Sequence, residues 1–261
     1  MTYSVQLSGG GYVGWKLLER TGAAQKAVLA HDPQIERSVD YFSEKMPGVA
    51  TADELVSDYK LLNVALRAFG LDADAKNRIF FIRKVLEADP DDSASLVNRL
   101  TDKRYLALNK ALGLTQTSAT DEQADVAGIV DLYVTRSFEK NVGERYPEIE
   151  LALNAQRELP SLATRDSSAN TKWYQIIGST SLRKIFDGAF GLGTSFARLP
   201  VDRQAAEFGA RLEKMTGSAD PAQFTDPAKV GQLIKTYLLR TQAASSTSLS
   251  PYAAALTILG G

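Results

Sequence analysis

Apolar residues recur at helical spacing along nearly the whole chain, and glycines stand where such runs stop. This pattern constrains the fold more than any other feature. An apolar stripe of period 3.6 is buried by a helix lying against a neighbouring element. Thr51-Ala52-Asp53-Glu54 has the form of a capping box, with threonine at the N-cap and glutamate three residues on. Behind it Leu55, Tyr59, Leu62, Leu66 and Phe69 follow at steps of four, three, four and three, which predicts one helix face. Gly70-Leu71 then fits a Schellman ending.

The same grammar repeats. A segment from about Asp74 to Ala88 carries Ile79, Ile82 and Leu86, widened by Phe80, Phe81 and Val85, and Asp89-Pro90 stops it. Asp102 is placed to cap a helix holding Tyr105, Leu106 and Leu112, closed by Gly113. Thr120-Asp121-Glu122-Gln123 is a second capping-box pattern, ahead of a long run with Val126, Ile129, Val130, Tyr133, Val134, Phe138 and Val142. Pro147 suits the first turn of another helix. Trp173, Ile176 and Ile177 are helically spaced, as are Leu182, Ile185, Phe186 and Phe190 before Gly191-Leu192. Asp202 to Met215 and the helix opened by Asp226-Pro227 complete the series. Only Tyr3 to Leu7 reads as a strand, and a lone strand forms no sheet.

These observations predict an all-α protein, an irregular bundle of about nine to eleven helices. Residues 1–14 read as an N-terminal arm, 15–240 as the helical domain, and 241–261 as a flexible connector with a short apolar tail. Leu61, Val64, Ala68, Phe69, Gly70 and Leu71 are echoed by Leu182, Ile185, Ala189, Phe190, Gly191 and Leu192, at a constant offset of 121. Either one helix-ending grammar has been used twice, or two related halves, 15–115 and 165–240, are joined by long central helices.

Composition removes several kinds of chemistry. The chain has no cysteine, which excludes disulfides, thiolate catalysis and zinc–cysteine sites, and its single histidine excludes multi-histidine metal sites. A net charge of −1 points to neither nucleic acid nor an anionic membrane. No apolar run is long enough to span a bilayer, and the first residues lack the basic and apolar regions of a cleavable signal.

Candidate chemistry is sparse. Gly9, Gly11 and Gly14 spell G-x-G-x-x-G after a weak strand, the pattern that brings pyrophosphate to a helix N-terminus. Asp32 and Glu36 lie near the distance of the acidic ribose partner, but no second strand precedes them, so the plainer reading is a flexible arm entering the first helix. His31, at a helix end, has no nucleophile motif to serve. Asp89, Asp91 and Asp92 lack the glycine and late glutamate of a calcium loop and read as a solvated turn. Arg78, Arg83, Lys84, Lys103 and Arg104 are interleaved with Glu87, Asp91, Asp92 and Asp102, which predicts surface ion pairs. Apolar groups at the two ends are the remaining candidates. Tyr12 and Trp15, and Tyr252, Leu256 and Leu259, either dock on the core or bind a partner.

Asp58-Tyr59-Lys60-Leu61-Leu62 through Ala68-Phe69-Gly70-Leu71, then Phe81-Ile82-Arg83-Lys84-Val85-Leu86, resembles the domain-of-unknown-function 1217 family. Ser137-Phe138-Glu139-Lys140-Asn141-Val142-Gly143, Leu151-Ala152-Leu153, Arg157-Glu158-Leu159, Trp173, Leu182-Arg183-Lys184 and Ala189-Phe190-Gly191-Leu192 continue the resemblance, which runs from about Trp15 to Leu239. It implies an all-helical alphaproteobacterial protein encoded among flagellar genes, with no known activity, cofactor or catalytic residue. The expectation is a flagellum-associated, non-enzymatic protein acting on a protein partner, as structural component or assembly accessory. It would be either cytoplasmic or exported to the flagellum. A cytoplasmic helical adaptor or chaperone is the alternative, and an enzyme whose site forms only in three dimensions is a remote one.

Overall fold

The computed structural model describes residues 3–72, 78–114 and 124–248, with side chains to 244. The predicted start near Asp74, the capping box at Thr120 and the tail with Tyr252, Leu256 and Leu259 lie outside these residues. The described residues form thirteen α-helices, more than the predicted nine to eleven. In order they are α1 (Gly11–Ala30), α2 (Pro33–Lys45), α3 (Ala52–Ser57), α4 (Tyr59–Ala68), α5 (Ile79–Glu87), α6 (Leu96–Arg99) and α7 (Arg104–Leu112). They continue as α8 (Val126–Gly143), α9 (Pro147–Ala163), α10 (Ala169–Gly178), α11 (Thr180–Phe190), α12 (Val201–Thr216) and α13 (Pro227–Ser248). Short 3-10 turns occupy Met46–Gly48, Thr194–Arg198 and Pro221–Thr225. No strand occurs among the described residues.

One extra helix comes from a break at Asp58. The capping box at Thr51 forms as predicted, with Thr51 Oγ1 accepting from the Glu54 amide. The run behind it is not one helix, because Asp58 is extended (φ −97°, ψ 99°) and its carboxylate accepts from the amides of Lys60 and Leu61, opening α4. An aspartate here satisfies amide groups that a continuing helix would leave to its own carbonyls. Burial alone would raise the Asp58 pKa, but the Tyr41 hydroxyl at 2.6 Å and the two amides hold it below the usual carboxylate range. The break leaves Tyr59 at the surface, 54% exposed, while Leu55, Leu62 and Leu66 stay in the core.

Two further boundaries differ from the prediction. The helix α1 begins at Gly11, so the arm ends at Gly10. The stretch from Gln242 is helical to Ser248, not a connector. Alanine and glutamine continue a helix at little cost, and the Gln242 side chain lies against Gly11.

The chain divides into two compact units, residues 1–6 with 21–141 and residues 7–20 with 142–261. In the first, α2 packs on α4, and α3 on both α4 and α5, while α7 covers α5. Asn109 of α7 is buried and donates to the carbonyls of Val85 (2.7 Å) and Ala88 (2.9 Å), closing the end of α5. In the second, α9 packs on α11, and α10 on both α11 and α12, with α13 against α9 and α11. Its core is an aromatic cluster. Phe186 and Phe208 lie 5.6 Å apart, with Trp173, Phe190, Phe196 and Phe224 around them. The Trp173 indole N–H finds the Ala219 carbonyl at 3.1 Å, so its polar edge is satisfied inside the core.

The echoed segments form the same local structure. Asp58 and Ser179 are both at once the end of one helix and the N-cap of the next. Gly70 and Gly191 both take left-handed backbone (φ +68° and +65°). In each copy the next residue closes the Schellman bond, Leu71 to Leu66 and Leu192 to Asp187, both at 2.8 Å.

Candidate functional site: the seat of the N-terminal arm

Residues Tyr3 to Gln6 lie outside any helix and have no strand beside them among the described residues, so their main-chain groups need partners from elsewhere. Side chains supply them. The carboxamide of Asn141, on α8, accepts from the Val5 amide at 2.8 Å and donates to the Tyr3 carbonyl at 2.9 Å. The carboxamide of Gln25, on α1, accepts from the Gln6 amide at 2.8 Å and donates to the Gln6 carbonyl at 3.1 Å. Asp32, the N-cap of α2, accepts from the Tyr3 amide at 2.8 Å and the Gln34 amide at 2.9 Å. A carboxamide carries one acceptor and two donors, so it offers a peptide what the edge of a strand offers. Val5 anchors the arm, 3% exposed.

The amides of Tyr3 and Gln34 hold the Asp32 carboxyl below the usual carboxylate range. Tyr3 has its phenol within 3.2 Å of Gln25 Oε1, and burial raises its pKa.

Leu7 to Arg20 belong to the second unit. There the Tyr146 hydroxyl donates to the Leu7 carbonyl at 3.2 Å, and Glu148 Oε1 accepts from the Gly11 amide at 3.0 Å. This overturns the dinucleotide alternative: a carboxylate from α9 already occupies the position at the start of α1 where a phosphate would sit. The glycines have structural reasons instead. Gly11 has φ +63°, and a side chain on Gly14 would strike the carbonyl of Gly9, where the arm folds back over the first turn.

Trp15 is not exposed. It is 3% accessible, with its indole N–H donating to Glu19 at 3.0 Å, so in this fold it presents no face to a partner. Tyr12 is half-buried, its ring 5.8 Å from the ammonium groups of Lys16 and Lys235. His31 is a surface residue, Nδ1 lying 3.8 Å from Glu36. Of the residues that hold the arm, Gln25 belongs to no motif, Asp32 is marked in the sequence only as a distant partner of the glycine motif, and Asn141 only as part of a family motif, none of them as a holder of the arm. Asparagine inside a helix is a weak sequence signal, because it costs helix propensity that some contact must repay.

The other perturbed acids cap helices or pair with cations. The amides of Ala50 and Thr51 lower Glu54, and Arg83 lowers Glu87 at 2.8 Å. Asp72 and Asp102 would be raised by burial but are held low by Lys140 and Arg104. Arg83 also reaches Asp53 at 3.0 Å, so part of the predicted basic face is a set of surface ion pairs. Asp91 and Ala94 donate their amides to Asp89 and Asp92, an ordinary turn. Among the shifted carboxylates of the described residues Asp187 alone moves up, through burial, with Arg183 at 3.5 Å offsetting only part. No helix among the described residues is long and apolar enough to cross a membrane.

A family model described as a protein of unknown function, DUF1217, matches residues 68–230. The crystal structure of protein AGR_C_984 from Agrobacterium tumefaciens is similar, with 26% identity and a TM-score of 0.73, over 89% of this chain and 93% of that one. No curated protein matches.

Proposed function

The chain belongs to the DUF1217 family, and from that premise we propose that it is a non-enzymatic, flagellum-associated protein that works through protein–protein contacts, as a structural component or an assembly accessory. The observation that carries the binding half of this reading is the seat of the arm. Asn141 and Gln25 hold the arm through its main chain, one of the ways in which peptides are recognised. Glu54, Asp58, Asp72, Glu87, Asp102, Arg83 and Arg104 are engaged in caps and ion pairs. The flagellar half rests on the gene context that the family resemblance implies.

The test is fractionation of cells carrying the tagged full-length chain, together with a deletion strain. Recovery in sheared flagella or basal structures supports a structural part or an accessory that travels with it. Recovery only in the cytosol moves the reading to an adaptor or chaperone. A deletion strain with normal flagella and normal swimming refutes both.

A further inference from the structure

We propose that the seat of the arm is an exchange site whose second occupant is the arm of another copy of this chain. This rests on reading the arm as a contact element, and it adds the partner.

The argument begins with what the seat reads. Five main-chain groups between Tyr3 and Gln6 are bonded to the side chains of Asn141, Gln25 and Asp32, and one aliphatic side chain, Val5, is buried. None of these contacts depends on which molecule the arm comes from. An identical arm from a second copy would reproduce every bond and the same burial.

The connection that makes the contact intramolecular is Ser8-Gly9-Gly10-Gly11. Gly9 has open space where a Cβ would stand, and Gly11 sits at φ +63°. Three consecutive glycines form a pivot that can redirect the arm at low torsional cost. Closed and exchanged forms therefore differ mainly by the pivot, by its contacts with Tyr146 and Glu148, and by the entropy of association. The tethered arm has a local concentration on the order of millimolar, so exchange takes over where copies are packed at comparable density and stays minor in dilute solution. Reciprocal exchange gives a closed dimer, and one-way exchange an open string.

The chain has no cysteine, so single thiols can be placed without background. Gln6→Cys keeps the main-chain bonds of the arm. Thr21→Cys sits beside the seat, because the Thr21 hydroxyl lies 2.9 Å from Gln25 Nε2. Equal amounts of the two full-length variants are mixed and treated with a short bis-maleimide. Exchange predicts a cross-linked heterodimer that rises with total concentration, in excess of that formed by Gln6→Cys with the surface control Glu213→Cys. No excess over the control overturns the proposal. Sedimentation of the unmodified chain up to about 1 mM gives a second reading, independent of the variants. A concentration-dependent dimer or longer species that forms faster in Asn141→Ala, because the arm must open before it exchanges, supports exchange. A monomer throughout, or an association whose rate of formation Asn141→Ala leaves unchanged, refutes it. Either result leaves the flagellar reading to be decided by fractionation.

Discussion

Replacing Asn141 by alanine tests the seat directly. The substitution removes two hydrogen bonds, from the Val5 amide at 2.8 Å and to the Tyr3 carbonyl at 2.9 Å, and leaves both main-chain groups short of a partner. A part-buried bond of this kind contributes about 1 kcal/mol net, so the loss is about 2 kcal/mol. At about 1.4 kcal/mol per tenfold, the open state of the arm should become about 30-fold more populated. The helices do not need the arm to close their own hydrogen bonds, so the change should be local.

Amide hydrogen exchange reads this residue by residue. The Val5 amide should exchange about 30-fold faster in the variant, following the opening estimate, while amides inside α4 and α11 keep their protection. Gln25→Ala should do the same at the Gln6 amide. A double-mutant cycle should show coupling, because both carboxamides hold one segment. Unchanged protection at Val5 would refute the argument. So would an equal loss throughout the chain, since Asn141 would then be supporting the fold and not the arm.

Other substitutions test the frame. Asp58→Ala removes the N-cap of α4 and the partner of the Tyr41 hydroxyl, and should cost about 1–3 kcal/mol by denaturant unfolding. Gly188→Ala gains about 1 kcal/mol of helix propensity but drives a Cβ to 2.7 Å from the Tyr237 ring, between α11 and α13, so overpacking should leave a net loss of melting temperature. Asp187→Asn should raise the melting temperature at neutral pH. The folded pKa of Asp187 is raised, so the penalty for its charge is present above that value and fades as pH falls through it to the unfolded value of about 3.9, and the gain should vanish below that pH.

Sequence reading was strongest where a single residue has one local solution. Asp226-Pro227 opens a helix, Pro147 sits in a first turn, and Gly70, Gly113 and Gly191 adopt left-handed backbone at helix ends. Each is decided by groups a few residues away, so spacing alone carries the information. The break at Asp58 was missed because the apolar stripe runs through it without a gap in register; only the cap, shared with Tyr41 of α2, ends one helix and starts the next. The helical stretch after Gln242 was missed for the opposite reason, since Ala, Ser and Thr give no stripe to follow. The seat of the arm was the least legible part. Asn141 lies 136 residues from Val5, and nothing in the pattern around it announces a carboxamide that reads a main chain.

The stretches α1 to α5 and α8 to α12 share more than one helix ending. At an offset of 114 residues, Pro33 to Pro147, the pairs Gly14 and Gly128, Thr21 and Thr135, Lys26 and Lys140, Ile35 and Ile149, and Glu36 and Glu150 are identical. The offset becomes 121 from Asp58 and Ser179 onward, because α9, with 17 residues, is longer than α2, with 13, and the joining segments differ. The order α1 to α5 thus repeats as α8 to α12, and the packing repeats with it, α2 on α4 as α9 on α11, and α3 on α5 as α10 on α12. Convergence on a helix stop would explain Gly70 and Gly191, but not the shared caps, order and packing together. Equivalent ends should respond equally. Gly70→Ala and Gly191→Ala each force a Cβ into left-handed backbone, at about 1–2 kcal/mol, against an arginine whose tip can move aside. Unfolding midpoints lowered by matching amounts would support duplication of one five-helix module, whereas one costly and one silent substitution would leave the echo as shared grammar.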